Sequence, residues 1–140
     1  MAGEPQPSNQ GRFDIARIAA DLPESARTLL VDRYLVDRES ASARVFRVYR
    51  GTPPHYHENS DEFLYVVSGR GTFWMGDPST EAEFGPGQLV AFPRRTVHAM
   101  PVILEAPLVF LSIDAPRRDP KDIIFQDPAA GSAEGFIRQG

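Results

Sequence analysis

The stretch Gly51-Thr-Pro-Pro-His55-Tyr-His57-Glu-Asn-Ser-Asp-Glu62-Phe-Leu-Tyr-Val-Val-Ser-Gly69 decides how this chain is read. In an extended segment alternate side chains share a face, so His55 and His57 project together while Tyr56 points away. Pro53 and Pro54 stiffen the approach, and the polar run Glu58–Asp61 can turn the chain so that Glu62 enters on the neighbouring strand. The result is a two-histidine, one-carboxylate arrangement. Glu62, Leu64 and Val66 then share a face, which places the carboxylate at the mouth of an otherwise apolar interior. Read in isolation, the same residues also suit a solvated histidine pair beside a proline turn, with Glu62 in an acidic patch with Glu58 and Asp61. The chain has one further histidine, His98, which follows a later strand and the break at Pro93.

Around this stretch the pattern has period two and dense punctuation: Gly69-Arg-Gly71, Gly76-Asp-Pro, Gly85-Pro-Gly87, Pro93, Pro101 and Pro107. Between the breaks lie the strand-like runs 28–36, 43–50, 62–67, 72–75, 88–92 and 108–113. Their spacing predicts an all-β antiparallel sandwich or barrel, because parallel strands need crossover helices for which there is no room. One short helix is expected between Asp14 and Leu22, from Ile15, Ile18, Ala19 and Leu22 on one face, with Asp14 as N-cap and Pro23 as stop. Asp122–Gln126 is expected to add an edge strand. The expected organisation is a tail over 1–12, one domain over 13–127 and a tail over 128–140. Gly85-Pro-Gly87 reads as a β-turn and no phosphate cradle, since no helix follows it. Phe73, Trp74, Phe84, Phe92 and Phe110 read as core rather than as substrate platforms.

Composition narrows the chemistry. The 140 residues, 41% apolar and 24% charged, suit one globular domain. With no cysteine, a disulfide framework, a thiolate nucleophile and an iron–sulfur cluster are excluded, so a metal must sit on histidine and carboxylate. That donor set suits Fe, Mn, Ni or Zn as divalent ions. The net charge of -4, with no basic cluster beyond Arg94-Arg95 and Arg117-Arg118, disfavours nucleic acid as a partner. Nothing approaches the ~18 apolar residues of a membrane span. The opening residues are polar with no apolar run, so the expected location is cytoplasmic.

The sequence resembles the cupin superfamily, small antiparallel jelly-roll β-barrels. The first cupin motif is matched by His55, His57, Glu62 and Gly69 at the right intervals, with the opening glycine displaced to Gly51, four residues before His55 instead of six. The second is matched by Gly87, Pro93 and His98, with Arg95 where the motif has glycine and Val102 where it has asparagine. Arg95 would be strained if that turn needs a positive φ. The resemblance covers about 42–114 and implies His55, His57, Glu62 and His98 as metal ligands. Four ligands on an octahedral ion leave two positions open, as in a reactive site and unlike a closed structural one.

The implied substrate pocket is the barrel interior, and period-two alternation with Glu62 and His98 predicts Leu64, Val66, Met100 and Val102 as a mainly apolar lining. On the preceding strand Arg47 or Tyr49 is the candidate polar contact, with the inward face of that strand left open. The family implies a small-molecule substrate and oxygenase, isomerase or lyase chemistry, in which Glu62 is the candidate catalytic residue as a ligand able to accept a proton. The alternative is a non-catalytic small-molecule-binding or sensing module. A homodimer is expected, formed by packing barrels and exchanging terminal strands.

Overall fold

The computed structural model describes residues 9–131, so residues 1–8 and 132–140 of the two expected tails lie outside the described residues. The strands run in the order β1 (Leu30–Asp37), β2 (Ser42–Val48), β3 (His55–Tyr56), β4 (Asp61–Met75), β5 (Ala82–Phe84), β6 (Leu89–Phe92), β7 (His98–Ala99), β8 (Ile103–Ala115) and β9 (Ile124–Phe125). Their spatial order is β1-β2-β8-β4-β7-β3-β9, with β5 and β6 also on β4, and every pairing is antiparallel. The sheet curls into a half-barrel. The helix α1 (Ile15–Ala20) is capped by Asp14, whose Oδ1 accepts the Arg17 N–H at 3.2 Å. Among the described residues no helix is long and apolar enough to cross a membrane.

The strand β4 makes the curl. The runs 62–67 and 72–75, expected as separate strands, form one strand of 15 residues. Its first part pairs with β6 and β8, and its last residues, Trp74 and Met75, cross to β7. Gly69 allows this at φ +84, where a Cβ would stand 2.6 Å from the Pro107 carbonyl oxygen and 2.7 Å from that of Glu105. The pairing of β4 with β8 shifts register three times between Val66 and Gly71, which bends the strand without ending it.

Two apolar clusters lie on opposite faces. Inside the curl pack Leu30, Phe46, Val48, Leu64, Val66, Phe84, Val90, Phe92, Met100, Leu108, Phe110 and Ile123. On the outer face Val31, Leu35, Val45 and Val109 are covered by α1 through Ile15, Ile18 and Ala19. Each fully buried side chain of this size contributes about 1.5–3 kcal/mol over leaving it in water. The predicted core aromatics behave accordingly: Phe84, Phe92 and Phe110 are buried inside, and Trp74 is buried on β4.

The alternation of β2 answers which of its faces looks inward. Ser42, Arg44, Phe46 and Val48 point inside, whereas Val45 and Tyr49 join the outer cluster. Arg47 lies on that outer face with its guanidinium over the Tyr49 ring at 5.1 Å, and the Tyr49 hydroxyl donates to the Pro23 carbonyl at 2.5 Å. The charged inward residue of this strand is therefore Arg44, not Arg47, and Tyr49 lies on the outer side. Val102 also differs from expectation. It is 42% exposed, because β7 ends at Ala99 and the alternation that starts at His98 does not continue past Pro101.

Candidate metal centre

Short strands bring the histidines together. β3 and β7 are two residues each, and in their register His55 stands directly opposite His98. Gly51 permits the approach, since a Cβ there would lie 2.2 Å from the Pro101 carbonyl oxygen. The Thr52 N–H donates to the Met100 carbonyl, and the Thr52 hydroxyl accepts from the Met100 N–H. His57 shares the face of His55, as the alternation predicts. Ring centroids are 4.5 Å apart for His55 and His98, 5.2 Å for His55 and His57, and 5.3 Å for His57 and His98. Phe92 stacks on His98 at 3.9 Å, nearly parallel.

The hydrogen bonds decide which nitrogens are available. Nδ1 of His55 lies 2.7 Å from the Pro53 carbonyl, that of His57 2.7 Å from the Asp122 carbonyl, and that of His98 2.9 Å from the Thr96 carbonyl. A carbonyl only accepts, so each Nδ1 carries a proton and Nε2 is the nitrogen each ring has left to offer a cation. One ring nitrogen from each histidine lies within 4.8 Å of the others. Glu62 Oε1 is 3.4 Å from His57 Nε2 and 3.6 Å from His98 Nε2, while Oε2 faces Arg44 Nη2 at 3.7 Å. His98 Nε2 is buried without a hydrogen-bond partner. A buried orphan nitrogen is costly unless something binds it, and a cation would meet that need. All four groups are buried, none above 6% exposed.

The electrostatics favour the ligating forms of His55 and Glu62. Burial, together with the neighbouring His98 and His57, holds His55 well below the ordinary histidine range and therefore neutral. Burial alone would push the Glu62 carboxyl up, but the neighbouring His57, His98 and Arg118 outweigh it and hold it well below the ordinary value. Behind Glu62 lies a group that the sequence reading missed. Arg44 is 1% exposed, with Nη1 3.0 Å from Asp32 and Nε 3.7 Å from Asp114, and Arg118 Nε lies 3.4 Å from Asp114. Burial would lower the Arg44 guanidinium, yet Asp114 and Asp32 hold it above its ordinary value. Asp114 is pushed up by burial and by Glu62, against Arg44 and Arg118. The interior beside Glu62 is thus charged. The apolar residues Leu64, Val66 and Met100 lie in the inner core with Phe46 and Phe110.

Arg95 occupies the turn before β7 with φ +65, the left-handed conformation that its place in the motif suggested. Its N–H donates to the His57 carbonyl at 2.7 Å, which ties this turn to the second histidine.

The family model for the cupin domain matches residues 46–114, a span that carries all three histidines and Glu62. The chain belongs to the cupin superfamily. Among solved structures, this cupin is similar to KdgF from Halomonas sp., at 27% identity over 63% of this chain and 79% of that one, with a TM-score of 0.56. It is similar in fold to an uncharacterized conserved protein with a double-stranded beta-helix domain from Klebsiella pneumoniae, at 15% identity over 77% and 91% of the two chains, TM-score 0.61. A variant of Streptomyces PAC13 with uridine matches at 22% identity over 72% and 73%, TM-score 0.54. Comparison with curated proteins gives no match. The jelly-roll class expected from the sequence is the fold of this cupin, and its buried histidine triad has the donor set of a metal site.

Proposed function

We propose that this cupin binds a divalent transition metal through Nε2 of His55, His57 and His98 and the carboxylate of Glu62, and acts there on a small organic molecule. The observation that carries the reading is the set of Nδ1–H donations to three backbone carbonyls, which leaves Nε2 of each ring to face a common point, two of them beside one Glu62 oxygen. The donor set fits Fe, Mn, Ni or Zn, and such an ion supplies Lewis acidity or a platform on which substrate and dioxygen meet. The chain's own residues do the rest. Glu62 offers a carboxylate that can accept a proton when it loosens, Arg44 neutralises its second oxygen, and Leu64, Val66 and Met100 contribute apolar wall. PAC13, solved with uridine, supports a small-molecule ligand in this fold. Oxygenase, isomerase and lyase chemistry are the classes proposed.

A non-catalytic binding or sensing module is the second reading, favoured by the depth of the centre, where His55, His57 and His98 are each 3% exposed or less. The molecule is further read as a cytoplasmic homodimer. Tyr65 and Leu89, opposite each other on β4 and β6 and 44% and 61% exposed, supply an apolar surface for such contact. Light scattering on the purified chain measures the assembly.

The deciding experiment is metal analysis of protein purified without added metal, beside the His57→Ala variant. Stoichiometric metal in the wild type and its loss in the variant support the centre; trace metal unchanged in the variant sinks it. If the metal is iron, oxygen uptake over a panel of small diols, thiols and keto acids separates an oxygenase from a binder.

A further inference from the structure

The three histidines are not held in the same way. His55 and His98 each donate to a carbonyl two residues earlier in their own segment, Pro53 and Thr96. His57 instead donates to Asp122, 65 residues later and outside the span that matches the cupin family. The same residue holds the backbone beyond His57: its Oδ1 accepts the Glu58 N–H at 2.8 Å and its Oδ2 accepts the Asn59 N–H at 3.0 Å. Asp122 therefore grips His57 both at the ring and at the chain that follows it.

Asp122 is itself fastened on both sides. Its N–H donates to the Asp119 carbonyl at 2.8 Å, and the next residue, Ile123, is buried in the inner core. Beyond it β9 pairs with β3, with Phe125 opposite His55, and the Gln126 N–H donates to the Pro54 carbonyl at 3.0 Å. Residues 119–126 thus lie as a strap across the strand that carries two of the histidines.

We infer that Asp122 is the positioning residue of His57 and that the strap 119–126 completes the metal centre, so that strap docking and metal binding stabilise each other. The inference rests on the metal-centre reading above. Donation from Nδ1 fixes the tautomer and the ring plane, and outer partners of this kind typically change metal affinity 10–100-fold. Without the Asp122 carboxylate, the Glu58 and Asn59 N–H groups lose their acceptors and the Asp122 carbonyl loses the contacts that align it on the His57 ring, while the carbonyls that hold His55 and His98 are untouched. By reciprocity, a bound ion that fixes His57 holds the strap down.

The test compares wild type, Asp122→Ala and Asp122→Asn. Zn(II) affinity is read against a competing chelator, and amide exchange at Ile123 and Gln126 is followed with and without Zn(II). The expected result is a fall in affinity of roughly 10–100-fold in Asp122→Ala, with Asp122→Asn, which keeps one acceptor oxygen, in between. In the wild type Zn(II) should slow exchange at both amides. Equal Zn(II) affinity in folded wild type and Asp122→Ala, even with lowered thermal stability, would reduce Asp122 to a structural role and overturn the inference. So would Zn(II) binding to wild type that leaves strap exchange unchanged, a measurement that stands even if Asp122→Ala does not fold. Wild type that takes up no Zn(II) fails differently: it removes the metal-centre reading itself and this inference with it.

Discussion

At the residue scale, Arg95 and Arg44 make opposite predictions. Arg95 holds φ +65 on an exposed turn, a conformation that costs a side-chain-bearing residue about 1–2 kcal/mol. Part of that is offset in Arg95→Gly by the freer unfolded chain, so a net stabilisation of about 0.5–1 kcal/mol is expected. It is read as a thermal midpoint raised by roughly 2–4 °C. Its Glu58 contact, at 3.4 Å between exposed side chains, contributes little. Arg44 is the reverse case. Replacing it with Met removes the Arg44 cation from buried Asp32, Glu62 and Asp114, leaving Arg118 beside Asp114. Removing one partner of a buried ion pair costs about 3–5 kcal/mol, so Arg44→Met should lower the urea midpoint sharply. The left-handed turn at Arg95 was legible from its place in a glycine motif. Arg44 was not, because β2 carries apolar residues on both faces, Phe46 and Val48 on one and Val45 on the other, and alternation alone gives no phase.

At the element scale, Gly69 within β4 and Gly87 in the turn before β6 use two different properties of glycine. Gly69 and Gly87 both have positive φ, +84 and +86, but only Gly69 is crowded, with backbone atoms at 2.6 and 2.7 Å from a built Cβ; Gly87 has nothing within 4 Å. Gly87→Ala is expected to cost about 1–2 kcal/mol from backbone conformation alone. Gly69→Ala adds the overpacking term and should cost roughly 2–5 kcal/mol, and the gap between the two unfolding free energies isolates the close approach. The sequence showed the strands on either side of Gly69 but not their continuity, since a glycine pair reads equally as a turn or as a bend within one strand. The helix was legible to within its ends because its cap and apolar face are local. β3 and β7 were not, as two-residue strands carry no periodicity of their own.

At the scale of the whole molecule, the buried centre links pH to stability. His55 is held well below its ordinary 6.5 by burial and by the two neighbouring imidazoles. Between that depressed value and 6.5 the unfolded chain binds a proton that the folded one does not, so stability is lost as pH falls through this window. Asp114 acts in the opposite sense just above 3.8, where the folded carboxyl keeps a proton that the unfolded one has released. In the metal-free protein, held with chelator, the urea midpoint should therefore decline from pH 7 toward pH 5. Added Zn(II) should raise the midpoint at pH 7 and lose effect toward pH 5, because the ligating imidazoles must be neutral. A midpoint that is flat across this range would contradict the buried neutral His55.

The sequence by itself determined the fold class, the shared face of His55 and His57, and the need for histidine and carboxylate donors in a chain without cysteine. These follow from covalent geometry and inventory, which act within a few residues. Only the tertiary structure decided that His98 stands opposite His55, that Arg44 rather than Arg47 looks inward, and that Asp122 holds His57 from 65 residues away. Strand register and inward phase are set by which apolar faces bury together across the sheet. That choice belongs to the whole chain and is written in no single stretch of it.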